Sequence, residues 1–363
     1  MKVRLYRNLL TYTGLTVHTA SSGPVGGLDT LHLELDDGTH RALGEARINC
    51  AYLNGYEPDY LLERACEGVG TLDWNSAPED LRACIASGSL PAPVKMLFDI
   101  ALWDMSAKRA GLPLAHLLAG EARALSHATN QTLFLSAQEN FDALAAAYVS
   151  RGFRDLKLRV GKDITEDLAR LSRLRATYGS TIELAADANG AWTPKAAAER
   201  LAALAELDLL YIEQPIAAGD WEALTRLAKS SPLPVMLDES LATMDDVREM
   251  IARRDAAGGR LQGHLKLIKL GGVTPVLAAA RQLASAGIPF MIGQMNEGAA
   301  ATAAAMHVAV ATRPNHAELY GADGLVNDPA EGLTYADGRV AVRDAPGLGV
   351  TFRAPCAPIF SGD

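Results

Sequence analysis

Cysteine is scarce and scattered. Cys50, Cys66, Cys84 and Cys356 form no CxxC pair, which fits a reducing compartment and argues against a disulfide framework or a thiolate zinc site. Cations are in deficit, with 34 Lys and Arg against 43 Asp and Glu and a net charge of −9. A nucleic-acid or acidic-membrane surface needs clustered lysine and arginine, so the expected partner is a small molecule, with no nucleic acid and no membrane. Long apolar runs are missing too. The segment GAAATAAAMHVAVAT at 298–312 is too short and interrupted to span a bilayer, and MKVRLYRNLLTYTGL at the start has no uninterrupted apolar core. A cytoplasmic protein is expected. No GxGxxG, P-loop or Gly-x-Ser-x-Gly stands in a context that would give it meaning.

What is present is two kinds of text. Up to about residue 50, strands alternate with turns, as in KVRLYRNLL and TLHLELDDG, and residues 57–120 read as helices that break at Gly111 and Pro113. From about 125, short apolar strands recur near 126–131, 155–160, 183–187, 209–213, 235–238, 264–268, 289–293 and 316–320, with Ala- and Leu-rich helices between most of them. Eight strands at this period predict a parallel α/β barrel. The expected division is an α+β capping domain at 1–122, the barrel at 123–324 and a tail at 325–363 that folds back onto the cap.

Three acids stand near the ends of consecutive predicted strands: Asp187 in ELAADANGAW, Glu213 in LLYIEQP and Asp238 in PVMLDES. Adjacent barrel strands bring such residues together at the C-terminal mouth, where active sites of this architecture are built. Three converging carboxylates raise one another's pKa values unless a cation sits among them, and oxygen donors suit Mg²⁺ better than zinc. Any one of the acids alone reads as a helix cap or a surface ion pair; three at matching positions read as a metal site. In DLKLRV (155–160), Lys157 and Arg159 share one strand face while Leu156, Leu158 and Val160 share the other. That face would be solvated on an edge strand, but beside the acids it becomes the barrel interior. Lys266 in GHLKLIKLGG flanks the acids from the other side. Lys269, three residues on, would fall on the opposite face if the strand continued, and is read as structural or as part of the strand-end loop.

Taken together, DIALWDMSAKRAGLPLAHLLAG, LKLRVG, DANGAW, IEQP, DES, LKLIKLGG and GLTYADGRVAVRDAPGLGV resemble the enolase superfamily, of the muconate lactonizing enzyme and mandelate racemase type. The resemblance runs over nearly the whole chain. It implies a modified TIM barrel of the (β/α)7β kind under the α+β cap, Mg²⁺ bound by Asp187, Glu213 and Asp238, and removal of the proton α to a carboxylate with Lys266 as base. The α-proton is a weak acid because its loss adds a second charge beside the carboxylate, so cations placed where that charge develops favour the transition state. The chain departs from the pattern at Arg159, where this branch usually has a second lysine; arginine stays protonated and is a poor base.

A Mg²⁺-dependent lyase, a dehydratase or cycloisomerase acting on a hydroxy acid or amino acid derivative, is therefore expected first. A racemase or epimerase with Lys157 as second acid/base comes next, and a non-catalytic ligand-binding barrel last. Supporting positions are Asn189, Glu239 as a partner of Lys266, and Glu297 in GQMNEG. The loops at 16–27 and 48–56 contribute His18, Tyr52 and Tyr56 as substrate contacts. His127, His264, His307 and His316 have no metal-ligand spacing and read as core or hydrogen-bonding residues. A homo-oligomer is expected.

Overall fold

The computed structural model describes the chain except residues 14–16, 20–22, 135, 162, 355 and 363, and describes only the backbone of 17–19 and 23–25. Eight parallel strands pair in chain order: β1 (Gln131–Leu133), β2 (Asp155–Arg159), β3 (Glu183–Asp187), β4 (Leu209–Glu213), β5 (Val235–Leu237), β6 (Leu261–Lys266), β7 (Phe290–Gly293) and β8 (His316–Glu318). Asn130 N donates to Ala317 O at 3.0 Å, which joins the first strand to the last. Helices follow β1 to β7, from Gln138–Ser150 to Ala299–Thr312, and none follows β8 among the described residues. The barrel is thus (β/α)7β, as the resemblance implied. No helix of the described residues is long and apolar enough to cross a membrane.

Strand alternation sorts the side chains. Leu156, Leu158, Leu184 and Ile212 point outward into the large core shared with the helices. Ala185, Tyr211, Met236 and Met291 point inward and form a separate small cluster inside the barrel. Every inward residue two positions further along its strand is a step nearer the mouth.

The cap is an antiparallel sheet in which Lys2–Leu10 lies between Phe360–Gly362 and Leu28–Asp36, with Arg41–Arg47 at the far edge. The helix Ala92–Arg109 joins cap to barrel. Most of its residues are apolar and buried, and they serve two cores: Leu97, Phe98, Ala101 and Leu102 pack in the cap core, while Met96, Ile100 and Ala107 pack in the barrel core. Its buried Asp104 accepts hydrogen bonds from Leu43 N, Leu348 N and Lys108 Nζ at 2.8 Å each.

Two segments depart from expectation. The predicted strand 126–131 divides: Ser126–Ala128 pairs antiparallel with Arg339–Val342, and the barrel strand begins only at Gln131. The tail reaches the cap through Phe360–Gly362 and through Phe352 against Tyr6 and His32, while its hairpin Leu333–Val342 pairs beside the barrel's first residues. Apolar alternation shows that such strands exist but cannot say which sheet recruits them.

Gly44 sets the approach of the helix Ala92–Arg109 to the cap sheet, because a Cβ there would lie 1.9 Å from Leu97 O. Gly44→Ala is expected to lower unfolding stability by about 1–3 kcal/mol in urea titration, since backbone cannot yield as a side-chain tip would. An unchanged midpoint would contradict the packing.

Candidate active site at the barrel mouth

The mouth is built by register. Arg159 on β2 lies opposite Asp187 on β3, and Asp187 opposite Glu213 on β4; Lys266 on β6 lies opposite Gly293 on β7, and Gly293 opposite Glu318 on β8. Asp238 is the residue after β5. Strand ends therefore place four acids and two cations around one opening, with Lys157 one step deeper. Asp187, Glu213, Asp238 and Glu318 are all at most 4% exposed, as are Lys157 and Lys266, so their charges interact with little screening from water.

Lys157 Nζ sits 2.9 Å from Glu213 Oε2 and 3.7 Å from Asp187 Oδ2, and also pairs with Glu318. Burial would lower its pKa, but Glu213, Glu318 and Asp187 outweigh that and hold it well above the usual lysine value. The position expected as a second acid/base is thus a cation locked among three carboxylates. Arg159 NH2 contacts Asp187 Oδ2 at 3.3 Å and its guanidinium lies 5.7 Å from the Phe134 ring centre.

On the opposite side, Lys266 Nζ donates to Asp238 Oδ2 at 2.7 Å and lies 4.0 Å from Glu318. Burial pulls its pKa down, and Asp238 and Glu318 more than restore it. Lys269 is not on the far face of the strand. It stands on the helical turn Leu267–Leu270, and its Nζ donates to Asp238 Oδ1 at 2.6 Å and to His264 O at 3.0 Å. The strand ends at Lys266 rather than continuing to 268, and the turn swings Lys269 inward. Burial works against the Asp238 charge, yet Lys266 and Lys269 hold its pKa well below the ordinary carboxylate value.

Glu213 is pushed up to about 6, by burial first, against the pull of Lys157. Its Oε1 is 2.9 Å from His264 Nδ1. Burial and Lys266 hold His264 well below its usual pKa, so a neutral imidazole that donates from Nδ1 to Glu213 is assigned. Gly293 makes room for that ring: a Cβ there would lie 1.9 Å from His264 Nε2.

The remaining expected residues divide. Asn189 Nδ2 donates to Glu239 Oε1 at 3.2 Å, and Asn189 N to Asp187 Oδ1 at 2.9 Å. Glu239 therefore partners Asn189, while Lys266 goes to Asp238, because residues adjacent in sequence leave the strand in different directions. Glu297 is buried, accepts from Met295 N at 3.3 Å and has no hydrogen-bond partner at Oε1 among the described residues. Tyr52 is 36% exposed, and its phenol feels the charges of Arg47, Lys266 and Arg159. Tyr56 stacks on Tyr60 and packs against the cap core, not toward the mouth. The His18 side chain lies outside the described residues.

Glu318 and Gln214 were missed by sequence reasoning. Glu318 in HAELYGADG occupies the strand-end position that Asp187 and Glu213 occupy, so the same rule would have found it. Gln214 Oε1 accepts from Asp238 N at 3.0 Å and from Ser240 N at 3.2 Å, which fixes the backbone behind Asp238. Asn189 and Gln214 both follow the acid strands with positive φ, 45° and 34°. Strained non-glycine backbone at such points accompanies functional sites.

Oxygen donors at a buried mouth fit a hard divalent cation. Glu213, Asp238 and His264 offer ligand atoms within 4.8 Å of one another, whereas Asp187 is turned toward Arg159 and Lys157. The unpartnered Glu239 Oε2 and Asn189 Oδ1, both buried beside this group, leave further oxygen unsatisfied there.

A parallel barrel ringed by buried acids and lysines under an α+β cap places this chain among barrel enzymes with a charged strand-end site. The model of Enolase C-terminal domain-like proteins matches residues 140–355, more than half of the chain, and the chain belongs to the enolase superfamily of enzymes. It is similar to a hydrophobic dipeptide epimerase of Roseobacter litoralis, 30% identical over 91% of this chain and 93% of that protein. It is also similar to an N-succinyl-L-Arg/Lys racemase of Bacillus cereus, 30% identical over 70% of this chain and 68% of that one. Among solved structures, a dipeptide epimerase of Enterococcus faecalis complexed with Mg and L-Leu-L-Tyr superposes with a TM-score of 0.87 at 27% identity, covering 96% of this chain and 99% of that one.

Two outcomes are expected. Lys157→Met leaves three acids without their shared cation, so stability should fall by about 3–5 kcal/mol in urea at pH 7. Glu297 is pushed by burial from 4.5 up to about 7. An acid that binds its proton more tightly when folded contributes stability below its unfolded pKa and loses it as pH rises through the folded one. Metal-free protein should thus weaken between pH 4.5 and 7, and Glu297→Gln should flatten that slope in thermal melts.

Proposed function

We infer that the chain removes the proton α to the carboxylate of a small substrate and inverts that carbon, acting as a racemase or epimerase on an amino acid whose nitrogen is acylated, dipeptides included. The observation that carries the proton chemistry is Lys266, a buried lysine at a strand end facing Lys157 and Arg159 across a ring of acids. This reverses the order expected from sequence, where a lyase stood first. What supports the reversal is the pair of relatives above, since a dipeptide and an N-succinyl amino acid are both N-acyl amino acids.

The residues take their roles from their surroundings. Asp187, Glu213 and Asp238 would hold Mg²⁺, with His264 and Asn189 orienting Glu213 and Asp187 from behind. Bound there, the ion would supply a Lewis-acid charge for the substrate carboxylate and draw the Asp238 charge away from Lys266, which favours a neutral amine. Neutral Lys266 takes the α-proton at Nζ, and the C–H electron pair moves into the carboxylate as an enediolate. Lys157, held as a cation by its carboxylates, stabilises the added charge and then returns a proton from Nζ to the opposite face of the α-carbon, which completes the inversion, while Arg159 can bind a carboxylate oxygen through its guanidinium.

One observation favours the second reading, a lyase of the dehydratase or cycloisomerase kind. Arg159 stands on the face from which a second lysine would return the proton as an acid, and a guanidinium does not give up its proton near pH 7. Epimerisation and elimination are separated by following dipeptides and N-acyl amino acids in deuterated water with Mg²⁺. Deuterium at the α-carbon with inversion supports the epimerase; loss of a β-group supports the lyase; no exchange with any carboxylate sinks both. Lys266→Ala should abolish exchange. Glu213→Ala should lower Mg²⁺ affinity and activity together, and full activity in that variant would remove the metal assignment.

A further inference from the structure

A cavity of about 180 Å³ runs along β1, from Gln131 at its start to Phe134 just past its mouth end, beside Tyr320 after β8. It is walled by Tyr12 of the cap, Phe134 after β1, Tyr320 after β8, and Leu144, Ala147 and Tyr148 of the helix Gln138–Ser150. Two of these residues adjoin the reacting groups. The Phe134 ring lies against the Arg159 guanidinium, and the Tyr320 phenol, two residues beyond Glu318, feels the charges of Glu318, Lys157 and Arg159. Gln131, Arg151, Asp323, Asn296 and Tyr12 of the wall are already hydrogen-bonded. Asp323 accepts from Gln131 Nε2 at 2.9 Å and from Arg151 NH2 at 2.8 Å, so its charge is balanced within the wall. Asn296 Nδ2 donates to Tyr12 Oη at 2.9 Å, and Tyr12 Oη in turn donates to Gly321 O.

The cap side of the cavity is anchored. Thr11 N donates to Asn327 Oδ1 at 2.7 Å, Val326 N to Thr11 O at 3.1 Å and Thr13 N to Gly324 O at 3.4 Å. Tyr12 is held in place by its neighbours as well as by its own hydroxyl.

Resting on the α-proton reading above, we propose that this cavity is the substrate side-chain subsite and that it selects a neutral aromatic or bulky apolar group. An apolar cavity of about 150 Å³ is enough to take up benzene, so this volume holds one ring. Its aromatic walls offer edge and face contacts to such a ring. A side-chain carboxylate or ammonium would meet no uncompensated charge among the described residues of the wall, because Asp323 and Arg151 pair with each other, and would forfeit its hydration.

The test is equilibrium binding of N-acetyl-L-phenylalanine, N-acetyl-L-alanine and N-acetyl-L-glutamate to the full chain with Mg²⁺, by calorimetry. The phenylalanine derivative should bind at least about tenfold more tightly than the alanine one, with glutamate weakest. Ala147→Trp and Leu144→Trp each fill the cavity from the helix and should bring the phenylalanine-to-alanine ratio toward one. A ratio of one in the wild-type protein, tighter binding of glutamate, or an unaltered ratio in both folded variants overturns the subsite, as does failure of all three to bind. Preferential binding of the phenylalanine derivative without α-deuterium exchange of any substrate would leave the subsite standing and remove the proposed reaction.

Discussion

The site is governed by the cost of burying like charges together. Four carboxylates converge inside a barrel from which water is nearly excluded, and each would be driven toward protonation if it stood alone. Lys157 prevents this by reaching Glu213, Asp187 and Glu318 at once, and Lys266 and Lys269 do the same for Asp238. Breaking one buried pair leaves an uncompensated charge that costs more than the pair contributed. The cations are therefore bound to their places by the same acids that give the mouth its chemistry, and a lysine placed for catalysis must be released from its carboxylate before it can accept a proton.

Attachment of the cap follows a similar logic at longer range. Glu45, fully buried at the cap sheet's edge, accepts from Gly298 N at 2.5 Å, Ala300 N at 2.9 Å and Ala301 N at 3.1 Å. One cap carboxylate thus satisfies the first N–H groups of the barrel helix Ala299–Thr312 and interacts favourably with its dipole. Arg47, two residues on, reaches Asn296 O at 3.3 Å. The loop after β7, which carries Glu297, is consequently positioned by the cap as much as by the barrel.

Most of the barrel was legible in the sequence because its strands are short apolar runs at a regular period, and Asp187, Glu213 and Asp238 sit at equivalent points of that period. Alternation puts Lys157 and Arg159 on one strand face, and the neighbouring acids make that face the interior. Legibility failed where direction depends on how a strand ends. Lys269 turned inward because β6 gives way to a helical turn, and Glu239 took Asn189 as partner because the chain leaves β5 before it. Glu318 stands at the equivalent point of the eighth strand, where the strand-end rule applies as it does to Asp187 and Glu213. The pairing of Lys157 with three acids rests on distances that no spacing encodes.

The short strand Phe360–Gly362 completes the cap sheet beside Lys2–Leu10, and the helix Ala92–Arg109 belongs to both hydrophobic cores. The strand Lys2–Leu10 thus receives its second neighbour only after the whole barrel has been synthesised. Until then one edge of the cap sheet offers unpaired backbone groups to any extended chain nearby. In a chain whose contacts span such a sequence distance, closure is slow, and the nascent cap depends on the rest of the molecule arriving before another copy does.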